Sequence, residues 1–129
     1  MKKHRILIVE DEVNQGLMYE QELTDEGYDV DVANSGKSAL EMVDKTAYDL
    51  VVMDIGMPEM DGLEALGRML GRDNKLPVIL NTAYPSYKDN FMSWAADAYV
   101  IKSSDLTELK EKIRESLNRG ENNQTGINM

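Results

Sequence analysis

Acidic and cationic side chains follow several short apolar runs of this sequence. Glu10, Asp11 and Glu12 come directly after the first run, Asp54 follows another, and Lys102 follows the last. Crowded carboxylates repel one another unless a cation lies among them, and Mg²⁺ typically takes one or two carboxylates together with water and phosphate oxygens. An ammonium group beside such a cluster would pair with a phosphoryl group. These residue types therefore indicate Mg²⁺-dependent phosphoryl chemistry.

The apolar runs themselves predict the strands that would bring these side chains together. Four runs rich in Val and Ile lack polar alternation, which is typical of parallel strands buried on both faces: Ile6 to Val9, Leu50 to Met53, Val78 to Leu80 and Tyr99 to Ile101. A fifth run, Asp29 to Ala33, alternates and is expected near a sheet edge. Because the functional crevice of an open parallel sheet lies at the carboxyl ends of its strands, the residues after the runs should converge.

Helical patterns separate the runs and predict a repeated strand-helix unit. In the first helix the expected buried stripe is Val13, Leu17 and Leu23, and a fourth helix is expected to carry Trp94. The last helix has the clearest stripe, consisting of Leu106, Leu109, Ile113 and Leu117. Residues 1–118 are therefore predicted to form one domain, and the polar residues 119–129 are expected to form a loose C-terminal tail.

Composition restricts the class of protein further. A length of 129 residues suits one domain with a real core. The formal charge of −10, from 14 basic and 24 acidic residues, argues against direct binding of nucleic acid. Cysteine is absent, so neither a disulfide framework nor a thiolate metal site is expected. Since no apolar run approaches the ~20 residues of a membrane span, we expect a cytoplasmic protein that does not enter a membrane.

Four segments in order resemble the response-regulator receiver domain of two-component systems, over residues 4–118. They are the acidic cluster Glu10-Asp11-Glu12, the stretch Asp54-Ile55-Gly56-Met57-Pro58-Glu59-Met60-Asp61-Gly62, the pair Thr82-Ala83, and Tyr99-Val100-Ile101-Lys102. The resemblance implies an α/β fold with a doubly wound, flavodoxin-like parallel sheet of five strands in the order 2-1-3-4-5 and about five helices. It also implies a phosphoacceptor served by a histidine kinase or a histidine phosphotransfer protein.

The resemblance assigns metal and phosphate roles residue by residue. Asp54 corresponds to the phosphoacceptor and to a ligand of Mg²⁺. Asp11 corresponds to a direct ligand, Glu10 to an acidic partner that reaches the ion largely through water, and the carbonyl of Gly56 to the third protein ligand. Together with Asp54, Thr82 and Lys102 form the implied catalytic set.

The remaining implied roles concern phosphate binding and switching. Thr82, Ala83 and Lys102 would bind the phosphoryl group, and Thr82 with Tyr99 would form the switch. Tyr99 has the alternative role of an ordinary core aromatic residue. Switching would alter the surface made by the fourth helix, the fifth strand and the fifth helix. We expect that surface to bind a downstream protein. Whether it also forms a homodimer is an alternative that the sequence leaves undecided. The chain would signal as a phosphoprotein with intrinsic self-phosphorylation and autodephosphorylation, rather than act as an enzyme.

Two departures from the family pattern affect the site. Ser103 replaces the usual Pro after the lysine, so a cis peptide bond there would be about 2.5–4 kcal/mol less favourable than trans. Glu10 stands where Asp is commoner and has a longer reach to the ion. Asp61 and Gly62 are expected to form a turn and helix start, outside the site.

Three alternative functions fit the sequence less well. An aspartyl-phosphate phosphatase of the haloacid-dehalogenase type expects a second Asp two residues after the nucleophile, where this chain has Gly56. A flavodoxin-like cofactor binder needs a phosphate loop after the first strand, where Glu10 to Glu12 would repel phosphate. A degenerate receiver that only docks would not need the intact set of Asp54, Thr82 and Lys102.

Overall fold

The computed structural model describes residues 3–56, 62–73, 75–83 and 95–125. Its five parallel strands form one sheet in the order β2-β1-β3-β4-β5. The strands are β1 (Arg5–Val9), β2 (Asp29–Ala33), β3 (Leu50–Met53), β4 (Val78–Thr82) and β5 (Ala98–Ile101). The predicted strands and their order are confirmed, and the alternating run forms an edge strand, as expected.

Four helices lie within the described residues: α1 (Val13–Asp25), α2 (Gly36–Lys45), α3 (Gly62–Arg72) and α4 (Thr107–Thr125). The predicted fourth helix with Trp94 falls outside the described residues, so α4 corresponds to the predicted fifth helix. In the described part of the chain, no helix is both long and apolar enough to cross a membrane.

Local signals in the sequence explain how the helices begin and end. Glu12 is the N-cap of α1, and its carboxylate accepts the backbone N–H groups of Asn14 and Gln15. Ser35 caps α2 in the same way, accepting the N–H of Ser38 at 3.0 Å. After α1, Gly27 has a φ of 99°, a conformation that glycine adopts without steric penalty and that lets the chain turn into β2.

The core has two layers, one on each face of the sheet. One layer packs α1 and α4 against the sheet, with Tyr19, Leu23, Leu109 and Ile113 among its buried residues. The other packs α2 and α3 against the opposite face, where Leu66 is among the buried residues. Because both faces are covered, β1, β3 and β4 need apolar residues at successive positions, which explains their lack of polar alternation.

The predicted buried stripe of α1 is wrong at two of its three positions. Leu23 is fully buried, but Val13 and Leu17 are 60% and 57% exposed. The buried face instead carries Gly16, Tyr19 and Leu23. Tertiary packing selects this face: a Cβ atom at Gly16 would lie 3.2 Å from Cγ1 of Val32, so α1 and β2 approach closely there.

Helix α4 continues past Asn118, where the sequence predicts the start of the polar tail. It ends at Thr125, whereas Leu117 is the last apolar residue of its buried stripe. Arg119 links the extension to the domain, since its guanidinium lies 3.6 Å from a carboxylate oxygen of Asp97 and 3.1 Å from Oγ of Ser116. The helix therefore continues beyond the apolar stripe that packs on the sheet.

Candidate functional site

The predicted residues come together where the strands end, at the carboxyl-terminal side of the sheet. Val9 is in register with Met53, and Thr82 is in register with Ile101. Asp54 and Lys102 come directly after β3 and β5, and their backbones continue the pairing of the strands. The N–H of Asp54 donates to the carbonyl of Val9 at 3.1 Å, and the N–H of Lys102 donates to the carbonyl of Thr82 at 2.8 Å. The predicted convergence is therefore present in the backbone.

Three carboxylates gather at this edge. Glu10, Asp11 and Asp54 each offer an oxygen, and these oxygens all lie within 4.8 Å of one another. Glu10 and Asp54 are buried, whereas Asp11 is more exposed. Such a group of oxygens suits a hard divalent cation.

Lys102 inserts its ammonium group among these acids. Its Nζ donates to Oε1 of Glu10 at 2.8 Å and to Oδ2 of Asp54 at 2.9 Å. The ion pairs are well shielded, because only 16% of the Lys102 side chain is exposed, against 3% for Glu10 and 9% for Asp54. Three carboxylates and one ammonium leave two negative charges in excess, which a divalent cation would balance.

The buried charges perturb one another. Burial raises the pKa of Glu10, and the hydrogen bond from Lys102 opposes this effect only in part. Burial by itself would lower the pKa of Lys102, but its hydrogen bonds and charge attraction to Glu10 and Asp54 prevail, so that pKa is raised. Lys102 therefore remains a cation in the site.

Glu12, the third acid of the sequence cluster, serves a different purpose. Its oxygens accept the N–H groups of Asn14 at 3.2 Å and Gln15 at 2.8 Å, which fixes the first turn of α1. Its own N–H donates to Oε2 of Glu10 at 3.2 Å. Glu12 thus orients Glu10 and the start of α1.

The segment that carries Asp54 packs against the start of α3. The N–H of Gly56 donates to Oδ1 of Asp54 at 3.2 Å, and the N–H of Gly62 donates to the carbonyl of Ile55 at 2.9 Å. A Cβ atom at Gly62 would overlap the carbonyl oxygen of Asp54 and lie 2.7 Å from Cα of Ile55. Gly62 begins α3, as predicted, while Met57 to Asp61 fall outside the described residues.

The other predicted site residues surround this centre. Thr82 is fully buried at the end of β4, between the strands that lead to Asp54 and Lys102. Gly56 and Ala83 are exposed. Tyr99 lies on β5, partly buried against the α2–α3 core layer. The structure thus places Gly56, Thr82 and Ala83 beside the acidic cluster, whereas Tyr99 lies further back on β5, in register with Leu80. Their chemical roles remain predictions.

The peptide bond between Lys102 and Ser103 is trans, since the described residues contain no cis bond. Ser103 is part of a turn, in which its Oγ accepts the N–H of Asp105 at 3.1 Å. This geometry avoids the energetic penalty expected for a cis bond without Pro.

Gln15 is a site residue that the sequence prediction missed. Its Oε1 accepts a hydrogen bond from Nζ of Lys102 at 2.7 Å. Gln15 heads a row with Tyr19 and Leu23 at spacings of four, and both of those residues are buried. This spacing turns Gln15 toward the sheet. The spacing of four is visible in the sequence, but it does not by itself show which face of α1 is buried, and Val13 and Leu17 pointed to another face.

The response regulator receiver domain family matches residues 6–114, and the chain belongs to this family. Transcriptional regulatory protein PcoR of Escherichia coli is 37% identical over 117 residues, which cover 89% of this chain and 52% of PcoR. Regulatory protein AtoC of Escherichia coli is 40% identical over 116 residues, which cover 88% of this chain and 25% of AtoC. The chain therefore spans about half the length of PcoR and a quarter of that of AtoC.

Solved structures agree with the fold. Response regulator TrrA of Thermotoga maritima, in complex with Mg²⁺-BeF, has a TM-score of 0.86 and 43% identity, covering 88% of this chain and 98% of TrrA. TrrA has also been solved with histidine kinase ThkA, where it has a TM-score of 0.84 and 44% identity, covering 88% of this chain and 98% of that chain. A CheY-like receiver domain of Methanospirillum hungatei has a TM-score of 0.89 and 31% identity, covering 95% of this chain and 99% of that one.

The contact at Gly62 leads to the first prediction. Gly62→Ala should lower the free energy of unfolding by about 2–3 kcal/mol, because the added methyl group must displace the backbone that carries Asp54. Gly71→Ala is the matched control in the same helix, where a Cβ atom meets nothing within 4 Å; it should raise stability by up to about 1 kcal/mol. Urea unfolding measures both changes, and equal effects would contradict the prediction.

Proposed function

We propose that this chain accepts a phosphoryl group on Asp54 from the phosphohistidine of a partner protein and then signals by protein binding. The observation that carries the proposal is the Lys102 ammonium, which contacts Asp54 at 2.9 Å within a cluster of three carboxylates. A buried carboxylate that can act as nucleophile, a cation fixed beside it and a group of oxygens suited to a divalent ion are the parts that phosphoryl transfer needs.

In the proposed reaction, a carboxylate oxygen of Asp54 attacks the phosphorus atom of the phosphohistidine. The oxygen–phosphorus bond forms as the nitrogen–phosphorus bond breaks, and the imidazole retains the electron pair and takes a proton from solvent. Lys102 offsets the negative charge of the transferred group. The N–H of Gly56 already donates to Oδ1 of Asp54 and so helps to orient the carboxylate. Attack of water on the acyl phosphate later releases phosphate and restores Asp54, which is the intrinsic autodephosphorylation.

The residues present fit a magnesium ion. Asp11 and Asp54 would hold it directly together with the carbonyl of Gly56, and Glu10 would act mainly through water. This division follows the family resemblance, because in the structure both oxygens of Glu10 and both oxygens of Asp54 already accept protein donors. When bound, the ion supplies positive charge that neutralises the phosphoryl oxygens.

A histidine kinase or a histidine phosphotransfer protein is the proposed donor. Response regulator TrrA is similar to this chain over 88% of this chain's length. It has been solved in complex with a histidine kinase. The first turns of α1, next to the site, expose Val13 and Leu17. Exposed apolar side chains beside a reactive group favour a protein donor.

Phosphorylation of Asp54 is the direct test. Incubation with acetyl phosphate and Mg²⁺ should add the mass of one phosphoryl group to the parent protein and none to Asp54→Asn. Lys102 would still have Glu10 and Gln15 as acceptors in that variant, so the fold should be retained. The exposed residue Asp25 provides the control: Asp25→Asn should gain the same mass as the parent. A phosphoryl group on Asp54→Asn would refute the assignment.

The metal assignment predicts different effects for two neighbouring acids. Mg²⁺ should raise the unfolding temperature, since a ligand at 100 times its Kd stabilises the folded state by about 2.7 kcal/mol. Asp11→Asn should reduce this stabilisation more than Glu10→Gln. Glu111→Gln, which removes an exposed carboxylate from α4, should leave it unchanged. Thermal unfolding across a Mg²⁺ titration measures the order, and a larger effect of Glu10→Gln would reverse the assignment.

Phosphorylation is proposed to alter the surface formed by the predicted fourth helix, β5 and α4, through Thr82 and Tyr99. Thr82 lies at the end of β4. Tyr99 lies on the neighbouring strand β5, in register with Leu80 of β4. A rearranged Thr82 would thus act directly on the neighbouring strand. The sheet edge at β5 exposes 40% of Ile101, which suits a downstream protein or a second copy of the chain.

Amide hydrogen exchange tests this switch. Phosphorylation should change the exchange of peptides from β5 and the start of α4, while peptides from β2, at the opposite edge, should keep their rates. Thr82→Ala should still accept the phosphoryl group but lose the change at β5, because the hydroxyl that senses the phosphate is missing. Equal changes in the exchange rates of β2 and β5 peptides, or unchanged rates in β5 peptides, would contradict the proposal.

A further inference from the structure

The Lys102 ammonium has a third acceptor in addition to its two carboxylates. Nζ lies 2.8 Å from Oε1 of Glu10, 2.9 Å from Oδ2 of Asp54 and 2.7 Å from Oε1 of Gln15. An ammonium group has three N–H donors and no acceptor. Its hydrogen-bonding capacity is therefore fully used by these three side chains.

Gln15 differs from the other two acceptors in charge. Glu10 and Asp54 belong to the acidic cluster that would take up a cation, and Asp54 would itself carry the phosphoryl group. The amide oxygen of Gln15 is neutral, so it attracts a divalent cation much less than a carboxylate does. Gln15 can therefore keep its bond to Lys102 when the carboxylates change partners.

Gln15 is also held firmly in its own position. Its backbone N–H donates to the N-cap carboxylate of Glu12 at 2.8 Å, and the next N–H, of Gly16, donates to the carbonyl of Glu12 at 3.0 Å. Tyr19, one turn further along α1, is buried in the core. The amide of Gln15 thus projects from a well-anchored helical turn, whereas the side chain of Lys102 is long and has many rotamers.

We propose that Gln15 is a positioning residue, which holds the Lys102 ammonium beside Asp54 while Glu10 and Asp54 are engaged by the metal and the phosphoryl group. This inference rests on the proposed phosphotransfer function and adds to it a neutral residue from α1. Without Gln15, the ammonium would spend part of its time away from Asp54, and the charge of the incoming phosphoryl group would be offset less often.

The kinetic test compares Gln15→Met with the parent protein. Met has a similar length and no strong acceptor. With acetyl phosphate at saturating Mg²⁺, the phosphorylation rate constant should fall on the order of tenfold, the size expected for losing a hydrogen bond to a charged group. The Mg²⁺ concentration that gives half the maximal rate should be unchanged. Asn14→Met, at the exposed neighbouring position, is the control and should keep the parent rate.

A double-mutant cycle separates positioning from a general structural effect. In the Lys102→Met background, adding Gln15→Met should lower the phosphorylation rate no further, because the residue on which Gln15 acts is gone. An equal loss of rate in both backgrounds would overturn the proposal. So would an unchanged rate in the single variant.

A spectroscopic measurement tests the contact independently of phosphorylation. In the parent protein, the ¹⁵N signal of the Lys102 ammonium should show slow hydrogen exchange with water, and Gln15→Met should accelerate that exchange while Asn14→Met does not. If the parent protein accepted no phosphoryl group, the proposed function would fail, yet this measurement would still decide whether Gln15 restrains Lys102. Equal exchange in the parent and Gln15→Met would overturn the positioning role.

Discussion

Two carboxylates buried side by side repel each other, and the ammonium group of Lys102 offsets that repulsion by contacting both. Glu10 and Asp54 are each almost fully enclosed, so their charges have little access to water. Removing one partner of such a buried pair is typically destabilising by about 3–5 kcal/mol, because the remaining charge is left without compensation. Lys102 therefore has two roles, because the group that offsets the repulsion within the acidic cluster is also the group proposed to bind a phosphoryl group.

The rest of the structure serves to bring these charges together. Apolar layers on both faces of the sheet exclude water from the strands and fix the points at which the strands end. At the edge, backbone contacts refine the geometry, most tightly where Gly62 packs on the carbonyl of Asp54. A larger residue at that position would shift the backbone that carries the Asp54 carboxylate. The close approach of α3 thus limits which residue can stand at position 62 and fixes the position of the backbone at Asp54.

Much of this arrangement could be predicted from the sequence, because strands buried on both faces leave a clear pattern of apolar runs. The positions after those runs identified Glu10, Asp54 and Lys102. The exposed face of α1 was not predictable in the same way, since the rotation of that helix depends on how closely Gly16 approaches Val32. The contact of Gln15 with Lys102 was missed for the same reason. Periodicity identifies a helix, but packing determines which of its faces is buried.

The two bonds of Lys102 to carboxylates join parts of the chain that are far apart in sequence. Its partner Glu10 lies 92 residues earlier and Asp54 lies 48 residues earlier, although all three meet at one edge. Contacts of such long range form late in folding, because much of the chain must be ordered before they can close. During synthesis, Glu10 and Asp54 emerge from the ribosome well before Lys102. A nascent chain that ends before β5 would hold the acids without their counterion, so the acidic cluster gains its internal charge compensation only when β5 has been added to the sheet.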